Sequence, residues 1–224
     1  MVIEERYPSE TARDYAFRTL KENIVSLELK PGTLVSENEL ASKMGLSRTP
    51  VREALNDLCR ASIVETYPQR GSFVSLIDPQ MVEESRFLRK VLDIAVIKLA
   101  CAETAPGTLK KMEENIDLQE YYLSKENAEK IYVLDNEFHK LIYEAARKEF
   151  IYDIRSTVMI HFDRVRTLSV ETVKDMKIVA DHSGMLAAIK EHDEQKAVAL
   201  VEKHLSRYSF DAEQIRAKAP EYFK

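Results

Sequence analysis

Apolar residues recur at helical spacing near the start of the chain: Ala12, Tyr15 or Ala16, Leu20, Ile24 and Leu27 lie three or four apart, and the run stops at Lys30-Pro31-Gly32. Side chains so spaced share one helix face, so the pattern predicts a helix packed along one side and ended by a turn. Ser36 followed by Glu39 has the form of a capping box, in which hydroxyl and carboxylate satisfy free amides of a second helix running to about Met44 and closed by Gly45. Ser47 is the expected N-cap of a third helix. Pro50 falls in its first turn, where a missing amide hydrogen has no helical acceptor to lose. Ile63 to Tyr67 and Ser72 to Ile77 are rich in β-branched and aromatic residues and flank Pro68-Gln69-Arg70-Gly71, which reads as a β-hairpin.

From Asp78-Pro79, an N-cap with a first-turn proline, nearly every window has helical period. Breaks at Pro106-Gly107, near Ser124 to Asn127, at Lys148-Glu149, at Val170-Glu171 and around His192-Asp193 divide this half into six helices with no strand signal. Short connections favour antiparallel neighbours. The expected fold is therefore mainly α. A winged helix-turn-helix covers residues 9–78, with three helices, the helix-turn-helix at about 36–60 and the hairpin wing at 63–77. An antiparallel six-helix bundle follows over 79–217.

A length of 224 residues suits two small domains with separate cores. The net charge of −5 argues against bulk electrostatic capture of nucleic acid, and residues 1–78 hold ten Lys/Arg against twelve Asp/Glu. DNA contact must then come from locally placed arginines. Cys59 and Cys101 lie in apolar helical patterns and read as reduced, buried small hydrophobes. The longest run free of Asp, Glu, Lys and Arg, His182 to Ile189, is far short of the roughly 20 residues of a membrane span. The first twenty residues are charged throughout, unlike a secretory signal, so a cytoplasmic protein without membrane contact is expected.

On the third helix, Val51, Leu55 and Leu58 share a packing face while Arg48 and Arg52, four apart, share another with Thr49 and Asn56 nearby. An arginine can donate two hydrogen bonds to guanine O6 and N7 in the major groove, and threonine can reach a phosphate or a thymine methyl. Two arginines alone describe an ordinary solvated face. The order of capped helix, tight turn, this helix and a hairpin tipped by Arg70-Gly71 is that of a winged helix, whose tip arginine can enter the minor groove. Residues 29 to 78, LKPGTLVSENELASKMGLSRTPVREALNDLCRASIVETYPQRGSFVSLID, closely resemble the DNA-binding domain of the GntR family. That resemblance puts Arg48, Thr49, Arg52 and Gly71 on operator-contact positions, with Arg70 and Asn38 as auxiliary contacts. A homodimer reading a palindromic operator is expected, because one recognition helix covers only a few base pairs.

Asp135 and His139, four apart on a helical segment, project from one face. His182 and His204 lie on the last two long helices, where an antiparallel hairpin can set them opposite each other. Three neutral imidazoles and a carboxylate suit zinc, nickel, cobalt, manganese or iron. Each histidine alone reads as an ordinary core or surface residue, and spacing does not join the two pairs. Residues 79 to 215, with DNEFHKLIYEAA and DHSGMLAAIKEHDEQKAVALVEKHL, resemble the FCD effector-binding domain of the FadR-like branch of these regulators. The resemblance implies that Asp135, His139, His182 and His204 are metal ligands, and leaves His161 and His192 without a ligand role. It also sets Arg89 on a position that commonly faces the effector; Asp93 stands where a glutamate is frequent.

The implied function is a DNA-binding transcriptional regulator, a repressor, controlled by a small carboxylate that completes the metal's coordination and is held by Arg89, with Arg164 and Arg166 in reserve. A metal sensor is the alternative. A metal-dependent hydrolase is the weaker rival: Glu137 points away from the Asp135 and His139 face, and an enzyme gives the winged domain no task.

Overall fold

A computed structural model describes residues 1–170, 177–206 and 212–224. In its first part run α1 (Ala12–Val25), β1 (Leu34–Val35), α2 (Glu37–Met44), α3 (Arg48–Arg60), β2 (Val64–Tyr67) and β3 (Gly71–Val74). Helices follow: α4 (Pro79–Ala102), α5 (Thr108–Ser124), α6 (Ala128–Ala145), α7 (Glu149–Val158) and α8 (Ile160–Val170). The rest are α9 (Lys177–Lys190), α10 (Glu194–Ser206) and α11 (Ala212–Lys218), before a 3-10 turn at Pro220–Tyr222.

The chain groups into two compact units, and the first is not continuous in sequence. It takes Met1–Glu83 together with Thr157–Thr167 and Gln214–Lys224; the second takes Glu84–Ser156 and Leu168–Glu213. A single cut near residue 78 does not describe this division.

In the first unit the apolar stripe of α1 (Leu20, Ile24) packs with Leu40 and Met44 of α2 and with Val51, Leu55 and Leu58 of α3. Ile63, Val64 and Val74 close the core from the sheet, and Ile160 of α8 joins it. Gly45 ends α2 in the left-handed region at φ 64°, where glycine carries no Cβ penalty. The anticipated capping box does not form. Ser36 occupies the N-cap of α2 without a side-chain bond, and Glu39 instead pairs with Lys43 at 2.6 Å. Ser47 likewise holds the N-cap of α3 by position alone.

The wing is a three-stranded antiparallel sheet in the order β1-β3-β2, with Val64 opposite Val74, Tyr67 opposite Gly71 and Leu34 opposite Phe73. The hairpin was expected; β1, two residues long, is too short to show alternation. Beyond residue 77, Ile77 pairs with Phe223 and Lys224 N donates to Ile77 O at 3.0 Å, so the C-terminal segment lies along the exit of the wing.

After the wing there are eight helices among the described residues, against six expected. The helix anticipated across 149–170 breaks at Met159, and the stretch expected as the last helix contains α10 and α11, with residues 207–211 between them outside the described residues. The break expected at Val170-Glu171 falls partly outside the described residues. Other boundaries carry the expected devices. Asp78 Oδ1 accepts from Gln80 N at 2.9 Å ahead of Pro79, and Asn127 Oδ1 accepts from Lys130 N at 3.0 Å. Asp193 Oδ1 accepts from Lys196 N at 2.9 Å. Ile97, Ala100, Met112, Phe138, Ile142, Met185, Ile189 and Val201 form the core of the second unit. Burial on this scale supplies the main favourable term for helices that would be marginal alone.

Candidate functional site

On α3 the packing face is buried, while Arg48, Thr49, Arg52 and Asn56 are exposed, as is Asn38 on α2. Arg48 lies 4.0 Å from Glu37, and Arg52 has no carboxylate in ion-pair range among the described residues. Both forks are thus available to a ligand. At the wing tip Arg70 sits over the Tyr67 ring at 5.6 Å. Gly71 has φ +98°, and a Cβ there would meet Leu34 Cδ1 at 2.9 Å, so the turn requires glycine.

In the second unit, α6, α9 and α10 bring Asp135, His139, His182 and His204 together, all buried, with their donor atoms within 4.8 Å of one another. His139 Nε2 is 3.1 Å from His204 Nε2, and Asp135 Oδ1 is 3.4 Å from His182 Nε2, 3.6 Å from His204 Nε2 and 4.0 Å from His139 Nε2. Donors that share one ion at roughly 2.0–2.2 Å stand roughly 3 to 4.2 Å apart, so these separations fit a single first-row cation. Burial lowers the His182 pKa to about 4 and pushes His139 well below its usual value, with the Arg89 guanidinium adding to the effect on His139. Both rings are therefore neutral, which is the form that binds metal.

The outward nitrogens of these rings meet further polar side chains. His182 Nδ1 is 2.8 Å from Gln119 Oε1, His139 Nδ1 3.5 Å from Asp93 Oδ2, and His204 Nδ1 3.8 Å from Asp181 Oδ2. Asp93 is a hub. Its Oδ2 accepts from Arg89 Nε at 3.2 Å, and its Oδ1 accepts from Tyr143 Oη at 2.7 Å and Arg155 Nη1 at 3.2 Å. Burial and the Asp93 carboxylate raise the Tyr143 pKa, so it donates as a neutral phenol. Sequence reasoning missed Arg155, whose guanidinium lies 4.8 Å from the Tyr152 ring and 5.1 Å from the Tyr143 ring. Its spacing from Ile151 and Tyr152 places it on the buried face of α7, the one signal that points to it.

The candidate arginines are divided between the two units. Arg89 is buried beside Asp93 in the second unit, whereas Arg164 and Arg166 belong to the first. Arg164, wholly buried, donates to Ser75 O at 2.8 Å and to His161 Nδ1 at 3.3 Å, and burial lowers its pKa to about 10. His161 Nε2 in turn donates to Ala61 O, the C-cap of α3, at 2.8 Å. Arg166 pairs with Asp163 at 3.2 Å. Through His161, Arg164 joins the end of α3 to the residue that follows β3. His192 turns the chain at φ 57° between α9 and α10, with Nδ1 bonded to Cys101 O at 2.6 Å.

Comparison with known proteins matches residues 13–74 to "Bacterial regulatory proteins, gntR family" and residues 84–207 to the FCD domain. An HTH-type transcriptional regulator in an unstable DNA locus of Streptomyces ambofaciens is 34% identical over 95% of this chain and 90% of that protein. The HTH-type transcriptional repressor RspR of Escherichia coli K12 is 27% identical over 96% and 95%. Among solved structures, Escherichia coli McbR/YncC superposes with a TM-score of 0.80 at 20% identity, covering 92% of this chain and 98% of that one, a likeness of fold.

Proposed function

We propose, because this chain belongs to the GntR family of bacterial regulatory proteins and carries an FCD domain, that it is a repressor whose hold on a palindromic operator is set by a small carboxylate bound at a metal in the second unit. The chain is a DNA-binding transcriptional regulator and not an enzyme. No helix among the described residues is long and apolar enough to cross a membrane.

One observation carries the metal reading: three imidazoles and one carboxylate, all buried, bring their donor atoms within 4.8 Å of one another. Asp135, His139, His182 and His204 would hold a divalent transition metal such as zinc, nickel, manganese or iron, which supplies a Lewis-acidic point for an incoming oxygen donor. Four protein donors leave one or two positions for an ion that prefers five or six ligands. Arg89, buried beside His139 through Asp93, is suited to a second oxygen of the same carboxylate. Arg48, Thr49 and Arg52 would read base edges, with Asn38, Arg70 and Gly71 set against the backbone and minor groove.

Two copies of the chain are proposed to bind the operator together. Phe87 and Val91 on α4, and Phe150 and Ile154 on α7, are large apolar side chains exposed at one-turn spacing, which suits an interface between copies. A metal-sensing regulator is the second reading. It is favoured by the Arg89 Nε to Asp93 bond, which already gives the guanidinium an anion.

The test combines elemental analysis with a thermal-shift screen of mono- and dicarboxylates and sugar acids, on metal-loaded, chelated and Arg89→Ala protein. About one metal per chain, with acids that stabilise only loaded protein carrying Arg89, is expected. Absence of metal, or acids that bind chelated and Arg89→Ala protein as well as the loaded parent, overturns the proposal. Operator release by metal alone selects the second reading.

A further inference from the structure

Asn115 and Gln119 stand one turn apart on α5, both buried and aimed at the metal cluster's surroundings. Asn115 Nδ2 lies 3.3 Å from Leu134 O and 3.3 Å from Glu137 Oε2, both on α6. Gln119 Nε2 lies 2.6 Å from Asn115 Oδ1, and Gln119 Oε1 lies 2.8 Å from His182 Nδ1 on α9.

Every role in this chain follows from its far end. A carbonyl and a carboxylate oxygen can only accept, so the Asn115 end that meets them is its NH2 group. Its Oδ1 therefore faces Gln119 and must receive the Gln119 NH2. That leaves Gln119 Oε1 toward His182, whose Nδ1 must carry the proton. Turning both amides over would set Asn115 Oδ1 against the Leu134 carbonyl in a buried contact, and against the Glu137 carboxylate in a part-buried one, with no hydrogen between them. We infer that Asn115 and Gln119 are positioning residues whose relay presets His182 as the Nδ1–H tautomer, with the Nε2 lone pair directed at Asp135 and the ion before any metal arrives.

The purpose of the relay rests on the metal reading above, but the tautomer does not. The relay also explains Glu137, which faces away from the donor set yet anchors the amide that orders a ligand on another helix. Leu134 and Glu137 flank Asp135 on α6, so the relay ties the His182 ring to the helix that supplies two of the other donors. His139 and His204 have longer separations on their Nδ1 side, 3.5 and 3.8 Å, so the direct bond at His182 marks it as the ring most firmly preset. An outer partner of this kind commonly changes metal affinity by roughly 10- to 100-fold when removed.

The experiment uses the full chain labelled with 15N-histidine, stripped of metal with a chelator, in long-range 1H–15N correlation spectra. His182, assigned by loss of its signals in His182→Ala, is expected with Nδ1 protonated and Nε2 bare. Gln119→Leu, which keeps the volume but not the acceptor, should lose that single tautomer and weaken zinc affinity in a chelator competition by roughly 10- to 100-fold. Gln119→Glu restores an acceptor and should restore the tautomer. Protonation at Nε2 in the metal-free parent overturns the inference, as does an unchanged tautomer and zinc affinity in Gln119→Leu. Failure of the metal reading looks different: the parent takes up no zinc, while His182 still shows its Nδ1 proton.

Discussion

Replacing Gly71 with alanine separates two costs at the wing tip. With φ at +98°, an L side chain there is strained by about 1–2 kcal/mol, and its Cβ would also lie 2.9 Å from Leu34 Cδ1. Leu34 is 56% exposed, so that methyl can swing into solvent and the contact adds little. Backbone strain therefore dominates, and Gly71→Ala should destabilise the wing by about 1–2 kcal/mol. The local reporter is hydrogen exchange at the Val74 amide, which donates to Thr33 O at 2.9 Å, and at Gly32, whose amide donates to Val74 O at 2.8 Å. Exchange there should quicken by about 5- to 30-fold if it proceeds by local opening of the wing. Adding Leu34→Ala should recover only a small part. Full recovery in the double variant would show that the clash decides and the dihedral does not, and unchanged exchange in Gly71→Ala would refute both.

Arg48→Ala and Arg52→Ala should each cost about 1–3 kcal/mol in operator affinity and relax preference at one base pair, measured by titration against single-base operator variants. Two wild-type affinities would remove α3 from the readout role. Sedimentation should give a dimer, and placing aspartate at Phe87 and Phe150 should shift it toward monomer. Metal-free protein should lose stability in acid. His139, His161 and His182 all have folded pKa values below 6.5, so below that pH the unfolded chain binds more protons than the folded one. Stability is full above pH 6.5 and falls as pH drops, for His182 down to about 4. Urea midpoints that stay flat from neutral pH to that value contradict the burial of these rings.

Elements marked by local chemistry were legible in the sequence. Gly45, Asp78-Pro79, Asn127 and Asp193 act within a few residues, and each sits at or next to an element boundary, whereas α1 ends at Val25, short of Leu27 and of Pro31-Gly32. The donor types at Asp135, His139, His182 and His204 were legible too, but their meeting needs three helices in one packing, which spacing does not encode. The break at Met159 carries no proline or glycine, so the period ran through it. Ser36 and Glu39 had the right letters for a capping box, yet Lys43 one turn on captured the carboxylate. Gln119 and Arg155 looked like ordinary polar positions, since their importance lies in partners 63 and 62 residues away. The link from Arg164 to the Ser75 carbonyl, 89 residues back, is equally invisible to local spacing.

The discontinuity of the first unit bears on how the chain is made and how it can be recombined. Ile160 fills part of the core under α3, while His161 and Arg164 engage the carbonyls of Ala61 and Ser75. On a ribosome, the winged unit cannot take up α8 until residue 167 has left the exit tunnel, and cannot reach its final packing until Gln214–Lys224 has followed, by which time the whole second unit has been synthesised. A fragment cut after residue 83 would lack the side chains that satisfy those carbonyls and would bare an apolar face to water. Exchange of whole reading heads between such regulators is therefore constrained: a transplanted head must find its own α8 in the recipient, or bring it along.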